Sequence, residues 1–241
     1  MLSSNDALAP LTIRGPWVSS HALLDAGTRE VVLIDGGFGW GAVARIETAL
    51  RGQGFTLADV VAILLTHGHL DHTINISRLR EITGALVYAH PADAPFIAGS
   101  AERPGFSRWG GVLESIGRRC FHYQPPSIDR WMNDGDELPF WGGLEVVHLP
   151  GHTPGHCGFY SESRGLLIAG DLFANFLGMA QFPPRIFSVD RKLACQSIVK
   201  ADRLIPADAG VLLNHGRDAD PVWHREDLAW LARRTASTVR R

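Results

Sequence analysis

Apolar positions along the chain fall into two periods. Residues 19–25 (SSHALLD) and 30–37 (EVVLIDGG) are short apolar runs on either side of Ala26-Gly27-Thr28, which reads as two strands joined by a hairpin. The period then lengthens: Val43, Ile46 and Leu50 fall at i, i+3 and i+7, and Gly52 and Gly54 supply a stop, so a helix is expected. Residues 60–66 (VVAILLT) form an unbroken apolar run too short for a helix, the pattern of a strand buried on both faces. Ile76, Leu79 and Ile82 at three-residue spacing predict another helix, and residues 85–90 (ALVYAH) another buried strand.

From Pro91 to about Pro126 the pattern degrades into Pro, Gly and aromatics, with one helical candidate at 109–119. Long irregular stretches within a compact domain are usually functional, so this segment is expected to be an insertion covering a pocket. Strands return at 144–150 (LEVVHLP) and 165–171 (GLLIAGD). Ala194, Ile198, Ala201 and Ile205 then mark a helix, followed by a strand at 210–214 and a last helix from about Asp227. Two successive β-rich then helical halves, without a repeat, predict one domain over 1–241 in which layered sheets carry helices on their outer faces.

Composition narrows the partners. With 45% apolar and 20% charged residues the chain reads as an ordinary soluble globular protein. A net charge of −2 gives no global electrostatic case for nucleic acid or an anionic membrane, so a small-molecule substrate is expected. Three cysteines far apart in sequence argue against a disulfide framework and for a reducing compartment. No secretory signal or spanning segment is visible, so a cytoplasmic location is expected. The oligomeric state stays open, a homodimer among the options.

The chemistry concentrates in one stretch. Directly after the run at 60–66, His67-Gly68-His69-Leu70-Asp71-His72 places four metal-capable side chains within six positions. In extended chain, residues two apart share a face, so His67, His69 and Asp71 can point together; a turn into helix at Asp71 brings His72 beside them. Imidazole and carboxylate ligands suit zinc first, with iron or manganese as alternatives. Further candidates also follow apolar runs: His152 after 144–149, Asp171 after Gly170, and His215 before Gly216. One such residue alone is more often a turn or capping group. Four runs each ending in a metal-capable side chain imply a shared metal site, because burying so many polar groups without compensation is costly.

The order His67-x-His69-x-Asp71-His72, His152, Asp171, His215 resembles the metallo-β-lactamase superfamily over nearly the whole chain. The resemblance implies an α/β fold, a four-layer αββα sandwich, with a dinuclear site at one edge of its sheets. It assigns His67, His69 and His152 to one divalent ion, Asp71, His72 and His215 to a second, and Asp171 to a bridge. Asp35 resembles the family's early aspartate, which supports the histidine loop. It implies a hydrolase that uses a metal-bridging hydroxide, with Asp71 the catalytic carboxylate beside it. The chain departs from the family pattern at Thr73-Ile74-Asn75 and at Asn214, where small residues are common.

Within the superfamily the substrate is open. A short C-terminal tail weakens a glutathione-thioester reading, and an intact second ligand set weakens an iron-dependent persulfide dioxygenase reading; both remain alternatives. The favoured expectation is a carboxylic ester or lactone-type acyl bond. His156, Phe173 and Phe176 are candidate substrate contacts, against the plainer readings of turn hydrogen bonding for the imidazole and core packing for the rings.

Overall fold

The computed structural model describes residues 8–176, 179–215 and 221–239, without the side chains of 176, 221–223 and 236–239. Its first half runs β1 (Leu11–Ile13), β2 (Ser20–Asp25), β3 (Glu30–Ile34), α1 (Ala42–Gly52), β4 (Val60–Leu64), α2 (Leu70–Thr73), α3 (Ile76–Thr83) and β5 (Leu86–Ala89). Two helices, α4 (Ala94–Ala98) and α5 (Arg108–Cys120), precede β6 (Arg130–Trp131) and β7 (Glu137–Leu138). The second half continues with β8 (Leu144–His148), β9 (Cys157–Ser161), β10 (Leu166–Ile168), β11 (Ala174–Phe176), β12 (Met179–Gln181), α6 (Arg191–Leu204), β13 (Gly210–Leu212) and α7 (Pro221–Val239).

The strands make two main sheets, ordered β1-β2-β3-β4-β5-β6 and β13-β10-β9-β8-β7, and a separate β11–β12 hairpin. Side-chain alternation along single strands decides the layering. On β3, Val32 and Ile34 point to the core between the sheets with Leu144, Val146 and Phe159, while Val31 and Leu33 pack against Ile46 and Leu50 of α1 and Leu79 of α3. The second sheet repeats this: Ile168 and Leu212 face inward, and Leu167 and Val211 meet Ile198 and Ala201 of α6 and Leu228 and Leu231 of α7. The result is a four-layer αββα sandwich. Strands buried on both faces have no polar positions to spare, hence the unbroken apolar runs at β3 and β4.

β3, β4 and β5 are parallel neighbours, and each crossover carries a helix. Their carboxyl ends therefore open on the same edge. Three features differ from the sequence pattern. The apolar period of α3 stops at Leu79, since Ile82 is 41% exposed. The stretch 91–126 is more ordered than its composition implied, because α4 and α5 occupy much of it. The last helix is already formed at Pro221, ahead of Asp227.

Candidate metal centre

The loop after β4 leaves the sheet at Thr66 and enters α2 at Leu70, which separates the two kinds of ligand. His67 lies in the loop ahead of α2, His69 in extended chain at its N-cap, and Asp71 and His72 in its first turn. Gly68 is required between them: a Cβ there would lie 2.6 Å from Phe96 Cβ. Gly170 has φ +58°, and a Cβ would lie 2.9 Å from His156 Nε2, so only glycine brings Asp171 in this close.

Three overlapping groups converge: His67, His69 and His152; His67, His72 and Asp171; and Asp71, His72 and His215, the ligand atoms of each lying within 4.8 Å of one another. Asp171 Oδ2 is central, at 3.1 Å from His215 Nε2, 3.5 Å from both His72 Nε2 and His152 Nε2, and 4.0 Å from His67 Nε2. Asp71 Oδ2 lies 3.6 Å from His215 Nε2 and 3.9 Å from His72 Nε2. Nε2 of His67, His69, His72 and His152 and Oδ1 of Asp171 are buried without a hydrogen-bond partner. A buried polar atom is costly to leave unpaired, and five at one spot fit the donor set of divalent metal ions.

The supporting groups leave those nitrogens free. Asp35 is fully buried at the end of β3 with φ +61°, a left-handed conformation that aspartate tolerates better than most residues. Its Oδ1 accepts the Thr66 N–H at 2.9 Å. Its Oδ2 accepts from Thr66 Oγ1 at 2.7 Å, His72 Nδ1 at 2.8 Å and Asn214 Nδ2 at 2.9 Å. Thr66 Oγ1, having donated its proton, can accept from His67 Nδ1 at 3.0 Å. Both imidazoles are thereby fixed as Nδ1–H tautomers with Nε2 turned to the centre. Asn214 also donates to the Ser19 carbonyl at 2.7 Å, so this departure from the family pattern joins the two sheets under the site.

Two residues carry support that the sequence did not reveal. Buried Asp93, just before α4, accepts the Gly68 N–H at 2.7 Å, Thr153 Oγ1 at 2.7 Å and the Gly155 N–H at 2.6 Å, tying the His67–His72 loop to the His152 loop. Burial pushes its carboxyl up to about 6, against the pull of those three donors. Glu114 of α5 sits with Oε1 3.8 Å from His69 Nε2 and 2.8 Å from Arg103, while Arg118 lies 3.4 Å from its other oxygen. Burial raises its carboxyl and the arginines oppose this. Neither belongs to a motif; only an acidic residue within a poorly patterned stretch hinted at them.

Electrostatics separate the imidazoles. Burial drives His67 and His69 well below the usual histidine range and His152 down to about 3. At His72 and His215 burial acts the same way, yet the carboxylates outweigh it: Asp171, Asp35 and Asp71 hold His72 well above its usual value, and Asp171 and Asp71 lift His215 to about 10. Those two positions attract positive charge, whether a proton or a metal ion.

His156, a candidate substrate contact, is not among the residues that line the cavity over the site. It is fully buried, its Nδ1 lies 3.0 Å from the Leu149 carbonyl, and its Nε2 accepts the Asp171 N–H at 3.0 Å, so both ring nitrogens are used inside the protein. Phe173 is buried yet lines the cavity beside the ligands. Phe176 ends β11, and its side chain lies outside the described residues. Cys157 is buried and burial raises its thiol, as for a packed apolar group and unlike a nucleophile.

The cavity over the ligands measures about 590 Å³. His69, Asp71, His152, Asp171 and His215 form its floor, and its walls include Trp17, Phe38, Leu113, Phe121, Pro184 and Phe187, with Glu114 among them. Leu113, Glu114, Gly117 and Phe121 all come from the 91–126 stretch.

The family model for the metallo-beta-lactamase superfamily matches residues 14–212, and the chain belongs to that superfamily, whose members are mostly metal-dependent hydrolases. The chain is 30% identical over 232 residues to the probable metallo-hydrolase YflN of Bacillus subtilis (strain 168), covering 89% of this chain and 86% of that one. It is 34% identical over 129 residues to hydroxyacylglutathione hydrolase GloC of Haemophilus influenzae, a match over 50% of this chain and 54% of the other. The solved structure of TTHA1623 in a di-iron-bound form aligns with a TM-score of 0.65 and 26% identity, over 90% of this chain and 96% of that one. Among the described residues no helix is long and apolar enough to cross a membrane.

Proposed function

We propose that this protein is a dinuclear metal-dependent hydrolase that cleaves a carboxylic ester or lactone bond in a largely uncharged substrate. The observation that carries this reading is the coincidence of unpartnered buried ligand atoms of His69, His152 and Asp171 at the floor of one cavity, those of His67 and His72 beside them, with a wall made mainly of aromatic, aliphatic and proline side chains. His67, His69 and His152 would hold one ion, Asp71, His72 and His215 the other, with Asp171 between them. Zinc suits these nitrogen and oxygen donors, and iron is favoured by the di-iron relative. When bound, two such ions lower the pKa of a shared water and polarise an acyl oxygen.

The chain's own residues supply the rest. Asp71 lies at the cavity floor with its side chain 32% exposed, where it can orient the attacking water and take up its proton. The apolar wall excludes bulk water and positions the acyl group. Similarity to GloC favours a glutathione thioester as the second reading. Against it, no lysine or arginine lines the cavity among the described residues to meet glutathione's carboxylates.

The test is acid release followed by pH-stat over a panel of lactones, carboxylic esters, thioesters and β-lactams, each with and without chelator. Chelator-sensitive turnover of the esters or lactones supports the proposal. Turnover confined to thioesters moves the assignment to the second reading, and silence across the panel with two metals bound rejects both.

A further inference from the structure

Helix α5 is inside out. Its ionic pair Glu114 and Arg118, four residues apart, faces the protein with side chains only 12% and 11% exposed. Gly110 and Gly117 share that face and let it lie close: a Cβ would come within 2.1 Å of the Ile186 carbonyl oxygen at the first and 2.8 Å of a Leu70 methyl at the second. The outer face carries Trp109, Val112, Leu113 and Ile116 at i, i+3, i+4 and i+7, each between 49% and 55% exposed, with Phe106 a turn earlier. Amphipathic helices of water-soluble domains point such a stripe at the core. Scattered exposed apolar residues need no explanation, but a continuous stripe marks a binding surface.

The stripe continues at its C-terminal end into the cavity mouth. Phe121, just past α5, packs its ring 5.2 Å from that of Phe38 and 5.4 Å from that of Trp40, which is 84% exposed. Leu113 and Phe121 line the cavity, as does Trp17, itself 73% exposed. The apolar surface outside and the apolar wall inside are thus one surface. On α5 itself the exposed charged side chains are Arg108 and Arg119, and the helix's one acid is turned inward.

We infer that α5 and its aromatic rim dock on an anionic phospholipid bilayer, from which an apolar acyl ester passes directly into the cavity. Tryptophans and apolar side chains flanked by arginines suit the boundary between headgroups and acyl chains, and the arginines complement anionic headgroups despite the chain's overall charge of −2. A second copy seated on the same stripe is disfavoured, because it would cover the mouth at Leu113 and Trp17. The substrate half of this inference rests on the hydrolase reading; the docking half does not.

The full chain is tested by flotation with vesicles of phosphatidylglycerol and phosphatidylcholine in equal parts, and with phosphatidylcholine alone. Tryptophan fluorescence, size-exclusion chromatography and turnover of a soluble short-chain ester are followed in parallel. Ile116→Asp and Trp109→Asp alter exposed positions that do not line the cavity. The expected result is salt-sensitive binding to the anionic vesicles with a blue shift. Each variant should weaken binding by about tenfold or more, the scale set by one large apolar side chain, with soluble-ester turnover unchanged. Failure of the wild-type chain to float, or flotation indifferent to both variants, overturns the docking inference. A dimer that the variants dissociate also overturns it, by assigning the stripe to a second copy. Vesicle binding without any esterase activity would leave the docking half standing and sink the hydrolase reading instead.

Discussion

The Asp171 backbone N–H donates to Nε2 of His156, and the same ring bridges at Nδ1 to the Leu149 carbonyl, both at 3.0 Å. The central carboxylate of the site is therefore positioned by an imidazole whose two ring nitrogens are both engaged inside the protein. Replacing it by a residue of similar bulk, His156→Phe, orphans a buried N–H and a buried carbonyl, at about 1–3 kcal/mol each. A lowered thermal midpoint is expected, together with metal affinity reduced by about ten- to a hundredfold as Asp171 loses its fixed place. Calorimetry and competition against a chromophoric chelator measure both. Unchanged affinity would show that Asp171 needs no such anchor.

The second ligand set is testable by stoichiometry. Asp71→Ala and His215→Ala should each leave one bound metal where the wild type holds two, as read by elemental analysis. Turnover should fall on the order of a hundredfold or more, at least the upper end of what loss of a metal's supporting groups costs. Full activity with a single metal would favour an oxidative, one-iron chemistry over hydrolysis.

Metal binding should strengthen with rising pH. The metal-free protein holds His215 near 10 and His72 well above its ordinary value, so near neutrality a metal must displace protons from them. Each displaced proton makes apparent affinity climb about tenfold per pH unit, and the rise should continue until His215 deprotonates. The same raised values stabilise the metal-free fold fully below the unfolded histidine pKa, and that contribution is lost as pH rises through about 10. The gap in thermal midpoint between loaded and metal-free protein should therefore widen from mildly acidic to mildly alkaline pH. A gap independent of pH would contradict the carboxylate–imidazole coupling.

Glu114 is expected to select against anionic substrates. Its carboxylate lies 3.8 Å from His69 Nε2 and shares the cavity wall with apolar residues. Glu114→Gln should raise kcat/KM for a carboxylate-bearing ester by about tenfold relative to its neutral analogue, through KM, since the removed term is repulsion in the bound state. A lower thermal midpoint should accompany this, because Arg103 and Arg118 lose a buried partner. A stability loss with no change in the substrate ratio would assign Glu114 a structural part only.

Much of this protein is local in origin and so legible along the chain. Strands such as β3 and β4 are buried on both faces and read as unbroken apolar runs, and imidazoles and carboxylates directly after such runs are candidate metal ligands, so His67, His69, Asp71, His72, His152, Asp171 and His215 stood out by type and place. What depended on neighbours distant in sequence did not show. Asp93 accepts from Gly68 and Gly155, and Asn214 reaches Asp35 across 179 positions, contacts that exist only once the loops meet. His156 looked like a pocket residue because four positions separate it from His152; the turn between them points it instead at the Asp171 amide. The outward apolar face of α5 was hidden for the same reason, since a helical period states that one face is apolar, and only packing decides which face meets the protein.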